Sequence, residues 1–246
     1  MSETHATQEN SQDAIPTLEE TAPLIGSPGA IRQHEDAPFW RNLFMGTGSL
    51  AQLGLLVLTA VIWTSVLSLK ITLFSLHPIL NSVAVVSLVE AVLLLQPTNT
   101  PYQKRTGAII HSILIVISIV AFVGALTAIV LNKIRIKHTH FDSPHSILGL
   151  ATYIAVVIQA TVGLAQFYTP GVFGSIERAK SIYKYHRIAG YIIHLLLFAT
   201  LLAATKTDFA LGPLRLKTWK IALGIFFIVV GVFPRVRKEK LGFKRQ

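Results

Sequence analysis

Nine histidines are scattered through this chain, and four of them, His77, His111, His145 and His186, fall at the edges of stretches that are otherwise almost wholly apolar. Imidazole is both a transition-metal ligand and an ionisable group, and at membrane depth such a side chain is a functional candidate by default. The four stretches are consecutive, so a chain crossing the bilayer at each one enters them from alternate faces. Each histidine lies about a turn or two from the entering end of its own stretch. Parity then sets His77 and His145 near one face and His111 and His186 near the other. Two facing pairs on opposite sides are what two bis-histidine haems need. Five or six residues of helix is about 8–9 Å, and two such depths leave roughly 12–15 Å of a hydrocarbon core of about 30 Å between the pairs.

The elements that must hold these histidines are legible in the charge pattern. Of the 246 residues, 52% are hydrophobic and only 14% charged, where a soluble domain carries about 25% charged residues. Arg41 and Lys70 bracket 28 uncharged residues, Arg105 and Lys133 bracket 27, and Asp142 and Glu177 bracket 34. A helix of about 20 residues spans the hydrocarbon, so each interval holds a span. The expected spans are 46–69, 71–95, 106–131, 143–167, 181–205 and 214–234. The last reaches full length only if Lys217 and Lys220 snorkel to an interface marked by Trp219. The fold expected is an all-α membrane protein of six transmembrane helices, with a central four-helix bundle carrying the four histidines.

A formal charge of +10 could suggest a nucleic-acid partner, but the basic residues sit in loops and the tail, where they act as topology signals. With the N-terminus in the cytoplasm, fourteen Lys and Arg lie on the cytoplasmic side and eight opposite, which favours both termini inside. Residues 1–38 are polar and proline-punctuated and are expected to be a disordered cytoplasmic tail, 39–235 to be the six-helix domain, and 236–246 a basic cytoplasmic tail. Within the first tail, Glu20-Thr21-Ala22-Pro23-Leu24-Ile25 is similar to an acidic dileucine sorting pattern, which points to a vacuolar, lysosomal or other endomembrane rather than the plasma membrane.

No cysteine is present, which removes disulfides, thiolate metal sites and covalent haem attachment, and the two methionines, Met1 and Met45, lie far from the histidines. A haem in this chain is therefore non-covalent, with imidazole as its axial ligand. Two ligands per iron leave no open coordination position, so such a centre moves electrons without binding oxygen. Zinc prefers a third ligand, often a carboxylate, and Glu90 is the sole acid within a span. Glu90 lies 13 residues after His77, about 20 Å along the helix, and should approach the cytoplasmic pair, either coupling protons there or bonding within the bundle. Gly149 and Gly190 each follow a histidine by four residues, which gives a macrocycle flat access or simply lets helices pack closely. His194, near mid-membrane, reads as an interhelical hydrogen bonder ahead of an alternative ligand. His138 and His140, with Lys137, sit in the outer loop, where they could meet a substrate or merely be solvated. No nucleotide-binding motif or nucleophile elbow is present.

At its histidines the chain resembles the cytochrome b561 family, most of all the six-span type without a fused module. Leu73-Phe74-Ser75-Leu76-His77-Pro78-Ile79-Leu80 followed by Glu90-Ala91 is similar to that family's second helix. His111 preceded by Lys104 and Arg105 matches the third, His145 in SPHSILGL the fourth, and His186 in KYHRIAGY the fifth. The resemblance covers about residues 40–235. It implies two haem b groups, with cytosolic ascorbate feeding the His111/His186 site and monodehydroascorbate or ferric iron drawing electrons from the His77/His145 site. On that reading Lys104, Arg105, Lys180, Lys184 and Arg187 meet ascorbate or haem propionates at the cytoplasmic mouth, and His138, His140 and Lys137 meet the acceptor outside. Two positions depart from the family: Asn81 stands where relatives usually carry methionine, and Ile109 stands two residues before His111, where a lysine of the ascorbate site does not align. The lipid bilayer and a second copy of the chain in a homodimer complete the expected partners. Two other functions remain compatible with the residues: a haem-bearing anchor fed by a partner protein, and a non-redox scaffold or transporter.

Overall fold

A computed structural model describes residues 31–241, which form helices and the turns between them. The elements are α1 (Gly48–Leu67), α2 (Leu73–Leu95), α3 (Pro101–Arg135), α4 (Pro144–Tyr168), α5 (Ile176–Ala204), a single turn α6 (Asp208–Leu211) and α7 (Thr218–Val232). A 3-10 turn, Phe233–Arg235, extends α7 to full crossing length, and the six long helices are all apolar enough to span a bilayer.

The helix starts follow from local chemistry. Thr100 caps α3 by accepting from the Gln103 N–H while Gln103 reaches back to the Thr100 backbone, with Pro101 preset in the first turn. Ser143, Pro144 and Ser146 repeat this arrangement at α4, and Thr72 with Ser75 at α2. Such caps set where a helix begins, whereas hydropathy marks only where the lipid begins. For that reason α3 starts five residues before its apolar stretch and ends four after it. At 35 residues it is about 52 Å long, so both ends protrude from the hydrocarbon.

Three antiparallel pairs build the bundle: α2 with α3, α4 with α5, and α1 with α7. Buried alanines line this helix pair, Ala84 and Ala91 on α2 and Ala121, Ala125 and Ala128 on α3. Between membrane helices no hydrophobic force drives association, so small residues that let backbones approach are what make such a pair. The α1/α7 pair is tighter still, since a Cβ on Gly54 would lie 2.6 Å from the Gly224 carbonyl oxygen. Hydroxyls and an indole tie the pairs: Trp63 Nε1 donates to Ser82 Oγ at 2.7 Å, and Ser118 Oγ to the Ala84 carbonyl at 3.1 Å. Leu56, Val120, Ile158, Ile192 and Phe226 face outward as a lipid-contacting surface.

Both described chain ends meet on one face of the bundle. Residues 31–38, which the sequence assigns to the tail, are bonded to the α2–α3 turn through Gln33 N–H to the Pro97 carbonyl (2.9 Å), and the Gln103 amide donates to the His34 carbonyl (3.0 Å). The dileucine-like hexapeptide lies outside the described residues. Arg235 is not a solvated tail charge. It is 2% exposed and donates through Nη2 to the Asn42 and Leu93 carbonyls at 2.6 and 3.1 Å, clamping the end of the last span to α2. Glu90 turns toward α1, where it accepts from Gln52 Nε2 at 3.0 Å, so the hydrogen-bonding reading of this acid is the one its geometry matches.

Candidate functional site

The α2/α3 and α4/α5 hairpins carry the four histidines. His77 is the fifth residue of α2 and His145 the second of α4, so both sit at the face opposite the chain ends. Their rings lie 6.1 Å apart between centroids, at an interplanar angle of 81°. His77 Nδ1 donates to the Ala125 carbonyl on α3 (3.1 Å), and His145 Nδ1 donates to the Thr200 carbonyl on α5 (3.1 Å). A carbonyl only accepts, so Nδ1 carries the proton in each ring and Nε2 keeps its lone pair for a metal.

In the other pair, His111 repeats the arrangement of His77 and His186 does not. His111 on α3 donates through Nδ1 to the Ala91 carbonyl on α2 at 3.0 Å, the reciprocal of the His77 to Ala125 bond. Both alanines are fully buried, and a larger side chain at either would hold the neighbouring helix too far for the ring to reach its carbonyl. His186 on α5 packs on Gly163 of α4: a Cβ there would stand 2.7 Å from the ring Cε1. The Nδ1 of His186 is buried without a hydrogen-bond partner. Fourteen residues separate His111 from Ala125, and fourteen separate His186 from Thr200. The two levels are thus about 21 Å apart along the helices, more than the 12–15 Å expected from a depth of five or six residues for every histidine, because His145 is only the second residue of α4.

His111 and His186 line one cavity of about 520 Å³, and Lys104, Arg105, Lys180 and Arg187 line it with them. Four of the five expected cationic residues therefore converge. Lys184 is not on that wall; its Nζ lies 4.9 Å from the centre of the Tyr185 ring. The cavity has contributors the sequence reading missed, namely Tyr168, Tyr183, Gln159 and the C-terminal residues Arg237 and Lys240. Arg187 Nη1 donates to the Lys240 carbonyl at 2.8 Å, and Lys240 Nζ to the Gln96 and Thr98 carbonyls, so the basic tail is strapped across the opening. Runs of Lys and Arg read as topology signals in any membrane chain, and nothing in the run itself shows that it folds back. His194 also borders the cavity, tied by Nδ1 to the Gly190 carbonyl one turn earlier (2.8 Å).

On the opposite face Lys137, His138 and His140 are exposed on the α3–α4 loop. Lys133 Nζ pairs with Asp142 Oδ1 at 3.0 Å and Thr139 Oγ1 donates to Oδ2 at 2.9 Å, with His138 Nδ1 3.4 Å from the same oxygen. The Lys133 hydrogen bond, seconded by Thr139, holds the Asp142 carboxyl down at about 2. Among the described residues no group of three or more His, Cys, Asp or Glu forms a bare-ion site.

The sequence profile of eukaryotic cytochrome b561 matches residues 76–210, a segment that contains all four histidines and all but the first three residues of the two hairpins. The chain belongs to the cytochrome b561 family. It is 28% identical over 190 residues to the Mus musculus protein named "Probable transmembrane reductase CYB561D1", an alignment covering 75% of this chain and 81% of that relative. No solved structure matches the chain significantly. As a cytochrome b561 it is a multi-pass membrane oxidoreductase that transfers electrons through b-type haem. The donor set fits that cofactor. Two imidazoles bound to one metal ion at about 2.0–2.1 Å each have ring centres about 6 Å apart, close to the separation of His77 and His145.

Proposed function

We propose that this cytochrome b561 holds two haem b groups, one between His77 and His145 and one between His111 and His186, and moves single electrons across the bilayer from cytosolic ascorbate to monodehydroascorbate or ferric iron on the other side. The observation that carries the reading is the 6.1 Å approach of the His77 and His145 rings with Nδ1 of each tied to a carbonyl. Its counterpart, His111 with His186, borders a cavity wide enough for a large flat ligand. Bound in this way, a bis-imidazole haem supplies one-electron transfer with no position left for oxygen.

The chain's own groups supply the rest. The Ala125, Ala91 and Thr200 carbonyls fix the tautomer of three imidazoles and raise their basicity toward a metal. Lys104, Arg105, Lys180 and Arg187 focus positive potential at the cavity, where an anionic donor and carboxylate groups of a bound cofactor both gain. The Lys and Arg asymmetry supports placing the chain ends, and hence this cavity, in the cytoplasm. The Lys137–His140 loop then faces the acceptor. The sorting-like hexapeptide supports an endomembrane location, and a homodimer is compatible with the lipid-facing surface.

Stopped-flow reduction of the purified, haem-loaded chain by ascorbate tests the donor. Replacing Lys104 or Arg187 by Gln should raise KM several-fold and flatten the ionic-strength dependence, with little change in the haem spectrum. If ascorbate leaves the haem oxidised, the ascorbate reading fails and electrons come from a partner protein.

A further inference from the structure

We infer that Tyr153 and Asn81 form a positioning pair for His77 that sets the redox potential of the group bound between His77 and His145. The inference rests on those two histidines being axial ligands.

Asn81 follows His77 by four residues on α2, one turn toward the bilayer centre, and Tyr153 follows His145 by eight on α4. Tyr153 Oη and Asn81 Oδ1 are 2.7 Å apart, and Asn81 Nδ2 is 2.7 Å from the His77 carbonyl oxygen. The orientation of the amide follows from these distances. An amide oxygen facing the His77 carbonyl at 2.7 Å would set two acceptors against each other, so Nδ2 must face it and donate. Oδ1 then faces the phenol, and Tyr153 has to be the donor. The result is a directional chain: Tyr153 O–H to Asn81 C=O, and Asn81 N–H to the His77 backbone.

The same Nδ2 stands 3.3 Å from His77 Nδ1. That ring nitrogen already donates to the Ala125 carbonyl at 3.1 Å, so it cannot also accept from the amide. What the amide presents to the imidazole is the positive end of its N–H dipole. Donation from Tyr153 polarises the amide further, because hydrogen bonds in series strengthen one another in a low dielectric. A positive dipole beside an axial imidazole weakens its electron donation to the metal and favours the reduced state. The phenol is also held from its other side, its ring packing on Phe122 at 4.9 Å between centroids.

The pair's place in the fold adds to this. α2 packs along α3 and α4 along α5, so the space between His77 and His145 lies between two hairpins. The Tyr153–Asn81 bond crosses that space on its inner side and links the two ligand-bearing helices directly. No signal in the spacing of His77 and His145 shows this link, which needs α2 and α4 brought face to face.

Spectroelectrochemical titration of the haem-loaded chain in detergent tests the inference, with the centres resolved by their difference spectra. Tyr153→Phe keeps the ring packing and removes only the hydroxyl. It should lower one midpoint potential, with about a threefold shift in the redox equilibrium, or about 28 mV at 59 mV per tenfold for one electron. Asn81→Leu removes the whole dipole and should lower the same potential by about tenfold, or about 59 mV. The centre that moves must be the one lost in His77→Ala. Unmoved potentials in both variants would overturn the inference. So would a shift confined to the centre lost in His111→Ala, or loss of haem from both variants, which would make the pair structural only. If His77→Ala retains both haems, it is the ligand assignment that fails, and that result is independent of where the potentials lie.

Discussion

Gly163→Ala is the sharpest single-atom test of the cavity site. The added Cβ would lie 2.7 Å from His186 Cε1, 3.3 Å from Nε2 and 3.5 Å from Nδ1. Ordinary contact begins near 3.4 Å, so the ring must retreat by about 0.7 Å. Metal-binding constellations tolerate displacements of about 0.5 Å before geometry is lost, and His186 has no carbonyl at Nδ1 to guide it back. Perturbing a ligand's support usually costs about 10–100-fold in affinity, about 1.4–2.8 kcal/mol. The variant should fold, retain the His77/His145 haem with its potential unchanged, and release or shift the other. Haem-to-protein ratio by pyridine haemochrome and reduced-minus-oxidised spectra at graded free haem measure both effects. Two haems per chain at wild-type affinity and potential would refute the reasoning that Gly163 sets the position of His186.

Two further outcomes follow from other parts of the fold. Gly54→Ala forces a Cβ to 2.6 Å from the Gly224 carbonyl oxygen and 2.7 Å from the Ile228 nitrogen. Overpacking of this kind costs about 1–3 kcal/mol, so thermal unfolding in detergent should begin several degrees lower while the haem spectrum holds, since α1 and α7 lie outside the histidine-bearing hairpins. On the α3–α4 loop, Asp142 is held at about 2, below its unfolded value near 4. A depressed carboxylate stabilises the fold above its unfolded pKa and loses that contribution as pH falls through the folded one. Hydrogen exchange across residues 137–143 should therefore be steady from pH 7 to 5, beyond its intrinsic pH dependence, and lose protection between about pH 4 and 2. Asp142→Asn should show the low-pH behaviour throughout.

Much of this architecture is written in the chain, for identifiable reasons. Charged residues cannot stay in hydrocarbon, so Arg41, Lys70, Arg105, Lys133, Asp142 and Glu177 mark the spans, and six spans in order fix the parity of the histidines. That parity is what the pairing of His77 with His145 reflects. Helix ends are less legible, because caps such as Thr100 and Ser143 act beyond the lipid boundary that hydropathy detects. The sequence pointed to Gly149 and Gly190 on the histidines' own helices. The glycine that meets a histidine ring is instead Gly163, across a helix interface, a relation that no spacing along one helix encodes. Arg235 and Lys240 look like any positive-inside stop, and only folding shows one buried and the other strapped over the cavity.

The pairing of the histidines is tested most directly by counting haems in four single variants, His77→Ala, His145→Ala, His111→Ala and His186→Ala. Each should retain one haem per chain. His77 and His145 variants should leave the same residual spectrum and potential, and His111 and His186 variants should leave the other. A shared residual centre in the His77 and His111 variants, or two haems retained in any of the four, would contradict the two-site assignment.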